Sequence, residues 1–164
     1  MILLRKATEQ DIPVIRHIAE TTWEPTYGPI IGREQVEYML EMFYSKVALL
    51  QQFQAGHEFL IAEMGSKDIA FVSYSIIPEH SDAFKLHKIY VLPTVHGKGV
   101  GKFLINEVVN KVRHAGGKTL ALNVNRANKA KDFYERAGFK IKETVDLEIG
   151  NGYFMNDYVM EITI

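Results

Sequence analysis

Leu86-His87-Lys88-Ile89-Tyr90-Val91-Leu92-Pro93-Thr94-Val95-His96-Gly97-Lys98-Gly99-Val100-Gly101-Lys102 is the stretch on which the reading of this chain turns. An apolar, β-branched run ends at Pro93. A loop carrying Gly97, Gly99 and Gly101 follows, and it opens into an amphipathic helix marked by Val100, Phe103, Leu104, Val108 and Val112. Strand, glycine loop and helix N-terminus together hold phosphate, because loop N–H groups and the positive end of the helix dipole converge on one spot. A residue without Cβ lets the backbone come close to such a ligand. The expected ligand carries a diphosphate.

The spacing excludes two nucleotide loops. A Walker loop requires Gly-x4-Gly-Lys followed by Ser or Thr, whereas Phe103 follows Lys102 and no glycine stands in the required place before Gly101. A dinucleotide fingerprint requires Gly-x-Gly-x-x-Gly, but Lys102 stands three positions beyond Gly99. A second segment adds to the reading: Asn128-Lys129-Ala130-Lys131-Asp132-Phe133-Tyr134-Glu135-Arg136-Ala137-Gly138-Phe139. One helix and one strand separate the two.

Together the segments resemble the GNAT superfamily of acetyl-CoA-dependent N-acetyltransferases. His96-Gly97-Lys98-Gly99-Val100-Gly101 is similar to its pyrophosphate loop, Gln/Arg-x-x-Gly-x-Gly/Ala, with His96 at the usual Gln/Arg. From Ala130 onward the second segment resembles Asn-x-x-Ala-x-x-Phe/Leu-Tyr-x-x-x-Gly-Phe. The motif's first Asn falls on Ala127, and Asn128 is taken as the residue contacting the cofactor instead. The resemblance extends over nearly the whole chain and is nearest in character to bacterial spermidine/spermine-type N-acetyltransferases.

At 164 residues the chain is expected to be one domain, 1–164, able to bury a core without staples. With 47% apolar and 24% charged residues, its composition is that of a soluble globular protein. No run approaches the roughly 20 apolar residues of a membrane span, and the start lacks the features of a signal peptide. Zero cysteines exclude disulfides and thiolate metal sites and suit a reducing cytoplasm; no metal is expected. A net charge of −1 gives no reason to expect nucleic acid as a partner.

The pattern predicts a strand at Ile2–Ala7, a Thr8–Asp11 capping box, and a helix burying Ile12, Ile15, Ala19 and Trp23. A loop marked by Pro25, Gly28, Pro29 and Gly32 then leads to one helical region from Arg33 to about Phe53. Strands follow at His57–Met64 and Ile69–Ile77, and another ends at Val91. A helix over Gly99–Ala115, a strand at Leu120–Val124, a helix around Asn128–Ala137 and a long C-terminal hairpin turning at Gly150-Asn151-Gly152 complete the order. The expected class is α+β: a mixed, largely antiparallel central sheet flanked by helices. In the family a splayed strand pair forms the coenzyme cleft.

Acyl transfer from a thioester to an amine needs a held cofactor, a neutral amine, an oxyanion stabiliser and a proton for the departing thiolate. The loop from His96 through Lys102 supplies the first. Lys98 and Lys102 add positive charge there, or are ordinary solvated lysines. The resemblance implies that Ile89, Tyr90 and Val91 present backbone groups to the pantetheine arm. It also implies that one N–H polarises the thioester carbonyl, a contribution of about 2.7–4 kcal/mol to the barrier. It makes Tyr134 the acid: a phenol of pKa ~10 can protonate a thiolate whose thiol has a pKa of ~8.5. The family often carries a Glu where this chain has Lys85. His87, two residues on and on the same face of an extended strand, is the candidate base. Trp23 and Tyr27 lie in an aromatic and acidic segment suited to a cationic amine.

The reading is therefore acetyl transfer to a small, polyamine-like primary amine. The alternatives are a protein N-terminal acetyltransferase and a non-catalytic acyl-CoA-binding domain. The fold accommodates a homodimer.

Overall fold

Period-two alternation places the strands close to where the sequence predicts them. The computed structural model describes residues 1–164. Its strands are β1 (Ile2–Lys6), β2 (Glu58–Met64), β3 (Lys67–Ile76), β4 (Ala83–Val91), β5 (Thr119–Asn125), β6 (Lys140–Gly150) and β7 (Tyr153–Thr163). They form a seven-stranded sheet in the order β1-β2-β3-β4-β5-β7-β6. β4 and β5 pair in parallel, while β1–β2, β2–β3, β5–β7 and β6–β7 pair antiparallel. Helices α1 (Ile12–Ile31), α2 (Arg33–Tyr44), α3 (Lys46–Gln54), α4 (Val100–His114) and α5 (Ala130–Arg136) flank it. The class is mixed α+β, as expected. No helix is long and apolar enough to cross a membrane.

The chain divides into two packed units, Met1–Ser75 with Lys88–Leu104, and Ile76–His87 with Ile105–Ile164. In the first, Ile15, Ile18, Ala19, Val36 and Leu49 of the helices and Phe59, Ile61 and Phe71 of the strands are fully buried. In the second, the buried set is Phe84, Leu86, Val108, Val112, Leu120, Leu122, Phe139 and Met160. The β6–β7 hairpin has the expected turn at Gly150–Gly152, but its edge strand is mostly exposed, with Ile141 and Leu147 open to solvent.

Two helical expectations are corrected. Pro25 and Pro29 lie inside α1 rather than in a loop. They are four residues apart and both exposed, so they share the solvent face. The carbonyls that lose a partner N–H there are those of Thr21 and Pro25, both exposed residues, so water can satisfy them. The opposite face keeps Trp23 buried and Tyr27 half-buried, and that packing overrides the breaker signal. The region from Arg33 to Phe53 is likewise two helices. Ser45 leaves the helical conformation with ψ 156°, and its hydroxyl accepts the Ala48 N–H at 3.1 Å, an N-cap that starts α3.

The capping box forms: Asp11 Oδ2 accepts the Thr8 N–H at 2.9 Å. It also accepts from Arg5 Nη1 at 3.0 Å, while Arg5 reaches Glu63 at 2.9 Å and Asp68 at 3.3 Å. Hydrogen bonding from Arg5 holds the Asp11 carboxyl below the usual carboxylate range, against the opposing effect of its partial burial. A carboxyl depressed in the folded state stabilises above its unfolded pKa, and that stability is lost as pH falls through the folded value. Asp11→Asn should therefore cost about 1 kcal/mol at neutral pH, or a few degrees in Tm. The gap should close progressively in acid below about pH 4. Calorimetric scans of both chains across pH check it, and a gap that persists in acid would rule out the charge as its cause.

Candidate active site

Pro93 ends β4, a single 3-10 turn (Pro93–Val95) follows, and the chain enters the glycine loop. Gly97 and Gly99 both take φ +79°, a left-handed conformation that L-residues resist. A Cβ at either would meet nothing within 4 Å, so neither glycine is there to relieve crowding inside the protein. The open space lies on the exposed side of the loop, where residues 96–99 face solvent. Phe103 N–H to Gly99 O, at 3.0 Å, is the first hydrogen bond of α4. The N–H groups of Val100, Gly101 and Lys102 precede it and have no carbonyl of their own helix to meet. Bare amides at a dipole-positive helix end, beside a backbone without side chains, fit the diphosphate of a coenzyme. Lys98 and Lys102 are exposed on the same segment.

His96, the residue at the Gln/Arg position, has a local role. Its Nε2 lies 2.9 Å from the Val91 carbonyl, tying the loop back to the end of β4. Ile89, Tyr90 and Val91 form that strand end and are half-buried. Tyr90 turns its ring into an aromatic cluster: centroids lie 5.9 Å from Trp23, 5.8 Å from Phe71 and 6.3 Å from Tyr44, and its hydroxyl is 3.4 Å from that of Tyr27. Trp23 is only 5% exposed, so its surface is spent on Tyr27, Tyr44 and Tyr90 rather than on solvent; Tyr27 is at the more open edge. Lys88 lays its ammonium 4.8 Å from the centroid of Tyr44. Full burial pushes the Tyr44 phenol far up, which keeps it neutral.

In the second unit, Asn128 Oδ1 accepts the Ala130 N–H at 2.9 Å, an Asx-type turn that leads into α5. Asn125 Oδ1 does the same for the Ala127 N–H at 2.8 Å. Asn128, the residue expected as a cofactor contact, thus shapes the loop into α5. One helical turn on, Tyr134 is 9% exposed, with ring centroids 5.4 Å from Phe133 and 5.9 Å from Phe139. The parallel register of β4 with β5 covers Ala83–Lys85 against Thr119–Ala121. It ends there, although both strands continue, β4 through Leu86 and His87 and β5 through Asn125. His87 is half-buried on β4, on the face shared with Lys85. One ionisable residue outside the sequence reading joins this group: Asp157 on β7, 3% exposed, accepting from Asn123 Nδ2 at 3.5 Å.

Known proteins share this architecture. A model of the acetyltransferase (GNAT) domain matches residues 29–161. The chain is 29% identical over 149 residues to a spermidine N(1)-acetyltransferase of Thermoplasma acidophilum, spanning 87% of this chain and 91% of that protein. It is 35% identical over 152 residues to an uncharacterized N-acetyltransferase of Mycobacterium tuberculosis, spanning 92% and 96%. The crystal structure of PaiA N-acetyltransferase from Thermoplasma acidophilum in complex with coenzyme A aligns with a TM-score of 0.83 at 28% identity, over 100% of this chain and 99% of that one. The chain accordingly belongs to the GNAT superfamily and is an acetyl-CoA-dependent N-acetyltransferase.

Proposed function

We propose that the acceptor is a small, polyamine-like primary amine, that Tyr134 supplies the proton to the departing thiolate, and that His87 faces the incoming amine. The acceptor class rests on likeness over 87% of this chain to a protein named as a spermidine N(1)-acetyltransferase. It is also in keeping with the exposed Glu24, Glu34 and Glu41, which place negative charge along α1 and α2.

Bound acetyl-CoA supplies the acetyl group as an activated thioester. The chain's own tasks are then to hold, polarise and move protons. Amides from Gly97 through Lys102 hold the diphosphate, with Lys98 and Lys102 adding charge. Backbone groups of Ile89, Tyr90 and Val91 orient the pantetheine arm, and one N–H among them stabilises the charge that develops on the carbonyl oxygen. Asn128 sets the start of α5, and α5 sets Tyr134. Tyr27, at the open edge of the aromatic cluster around Trp23, offers a ring face to a cation. We further propose that the chain acts as a single catalytic domain in the cytoplasm; a homodimer is compatible with this reading.

The observation that carries the coenzyme half of the reading is the exposed loop whose two left-handed glycines open toward solvent. Its test is CoA release from acetyl-CoA with spermidine, spermine, simple diamines, amino acids and a peptide N-terminus. The polyamines should exceed the rest by at least about tenfold in kcat/KM, a difference of about 1.4 kcal/mol in barrier. Preference for the peptide would move the assignment to N-terminal acetylation. Tight CoA binding without turnover on any amine would make the chain a sensor.

A further inference from the structure

Register and alternation divide the sheet of the second unit into two unlike faces. Lys85 pairs with Ala121, Ala121 with Glu161, Asn123 with Val159 and Asn125 with Asp157. Residues opposite one another point to the same side, and neighbours along a strand point to opposite sides. One face therefore carries Phe84, Leu86, Leu120, Leu122 and Met160, all buried and apolar. The other carries Lys85, His87, Asn123, Asn125 and Asp157. Asp157 is nevertheless 3% exposed, as buried as its apolar counterparts.

A structural carboxylate at that depth is expected to have a close cation or several donors, since an unpaired buried charge is costly. Asp157 has neither arrangement. Its hydrogen bond from Asn123 is long, at 3.5 Å. Arg126, the nearest guanidinium, gives Nη2 to Asp146 at 2.6 Å and Nη1 to the carbonyls of Val145 and Asp157, not to the Asp157 carboxylate. Lys85 shares the face of Asp157 but makes no ion pair with it. The carboxylate also lies near the end of the β4–β5 ladder, because Asn123 is two residues past Ala121, the last β5 residue paired with β4.

We propose that Asp157 takes the proton from the acceptor's ammonium, with Lys85, on the same face of the sheet, favouring the neutral amine. The inference rests on the amine-acetylation reading above and assigns that reaction a base on β7. In the step, one N–H bond of R–NH3+ breaks, its electron pair stays on nitrogen, and the proton passes to a carboxylate oxygen of Asp157. A neutral amine and a neutral carboxyl result. Charge is conserved, and no other reactant is needed. An ammonium has a pKa of ~10.4 and is almost wholly protonated at neutral pH, so a group must do this before attack. Burial pushes the Asp157 carboxyl up, opposed by the Asn123 hydrogen bond and by the charges of Lys85 and Arg126. A raised carboxyl is the stronger base. A cation beside the amine disfavours its protonated form. The remaining charged or titratable groups on this side are His87 of β4, Glu161 of β7, paired with Lys142 at 3.1 Å, and, by register with Glu161 and Val159, Lys140 and Glu143 of β6.

The experiment is kcat/KM for spermidine from about pH 6 to about pH 10 on the full chain, for wild type, Asp157→Asn, Lys85→Met and Tyr134→Phe. Asp157→Asn should lose about 10²-fold at neutral pH and converge on wild type as the free amine becomes abundant, with CoA affinity unchanged by calorimetry. A merely structural role would not produce that convergence. Lys85→Met removes the cation, raises the Asp157 carboxyl further and should move the acid limb to higher pH. A wild-type profile in Asp157→Asn, with Tyr134→Phe still impaired, overturns the proposal while leaving the acetyltransferase reading intact. If Asp157→Asn does not fold, an unmoved acid limb in Lys85→Met overturns it. If the wild-type chain releases no CoA with any amine, the amine reading fails first and takes this proposal with it.

Discussion

Tyr134→Phe is expected to lower kcat by about 10³-fold while CoA still binds with wild-type affinity. The substitution removes a hydroxyl and keeps the ring, so the edge contacts with Phe133 and Phe139 survive. The backbone bond from Phe139 N–H to Tyr134 O, 3.0 Å, is untouched. Stability should change by no more than about 0.5–1.5 kcal/mol, the usual worth of one hydrogen bond. What is lost is a proton held ready for the departing sulfur. Without it the thiolate must leave as an anion or wait for water, and the deficit falls on kcat rather than on binding. Steady-state CoA release against pH, alongside calorimetry with CoA, separates the two. Unchanged kcat at every pH would remove Tyr134 from the acid role.

The second large effect lies in the loop. Gly99→Val puts a β-branched residue at φ +79°. The left-handed conformation costs an L-residue about 1–2 kcal/mol, and more when branched. Nothing in the protein lies within 4 Å of the added Cβ, so the fold should absorb this with a modest drop in Tm. The new side chain instead occupies the space through which a diphosphate reaches the amides of Val100, Gly101 and Lys102. Affinity for CoA should fall by at least about 10²-fold, some 2.7 kcal/mol. Titration calorimetry reads it directly. Wild-type affinity in a folded Gly99→Val chain would place the diphosphate elsewhere.

The loop is legible in the sequence because its signal is local, whereas the role given to Tyr134 comes from the resemblance of its segment to the family motif. A glycine loop between a β-branched run and an amphipathic helix is written in consecutive residues, as are the Thr8–Asp11 box and the Gly150–Gly152 turn. Features decided by distant contacts were not. Pro25 and Pro29 read as breakers, yet Trp23 and Tyr27 pack on the far side of the same helix and carry it through. Ser45 is one hydroxyl in a helical pattern, and only its bond to the Ala48 N–H shows a cap. Trp23 reads both as a buried helix residue and as part of an acceptor-facing segment, and the structure buries it against three tyrosines whose proximity no spacing announces. Asp157 was hidden for a related reason. Alternation along Tyr158, Met160 and Ile162 assigns it to the polar side of β7, which in an isolated strand means solvent. Only the register with β5 sets it beside Asn123 at a depth where a carboxylate is uncomfortable.

The exposed pair of prolines in α1 also has a mechanical consequence. Each removes one rung from the amide ladder on the outer side, so the stretch around Tyr27 leans more on the ring contact between Trp23 and Tyr27 than an uninterrupted helix would. The missing rungs fall in the stretch bearing Tyr27, well away from the start of the helix, where Arg5 holds Asp11.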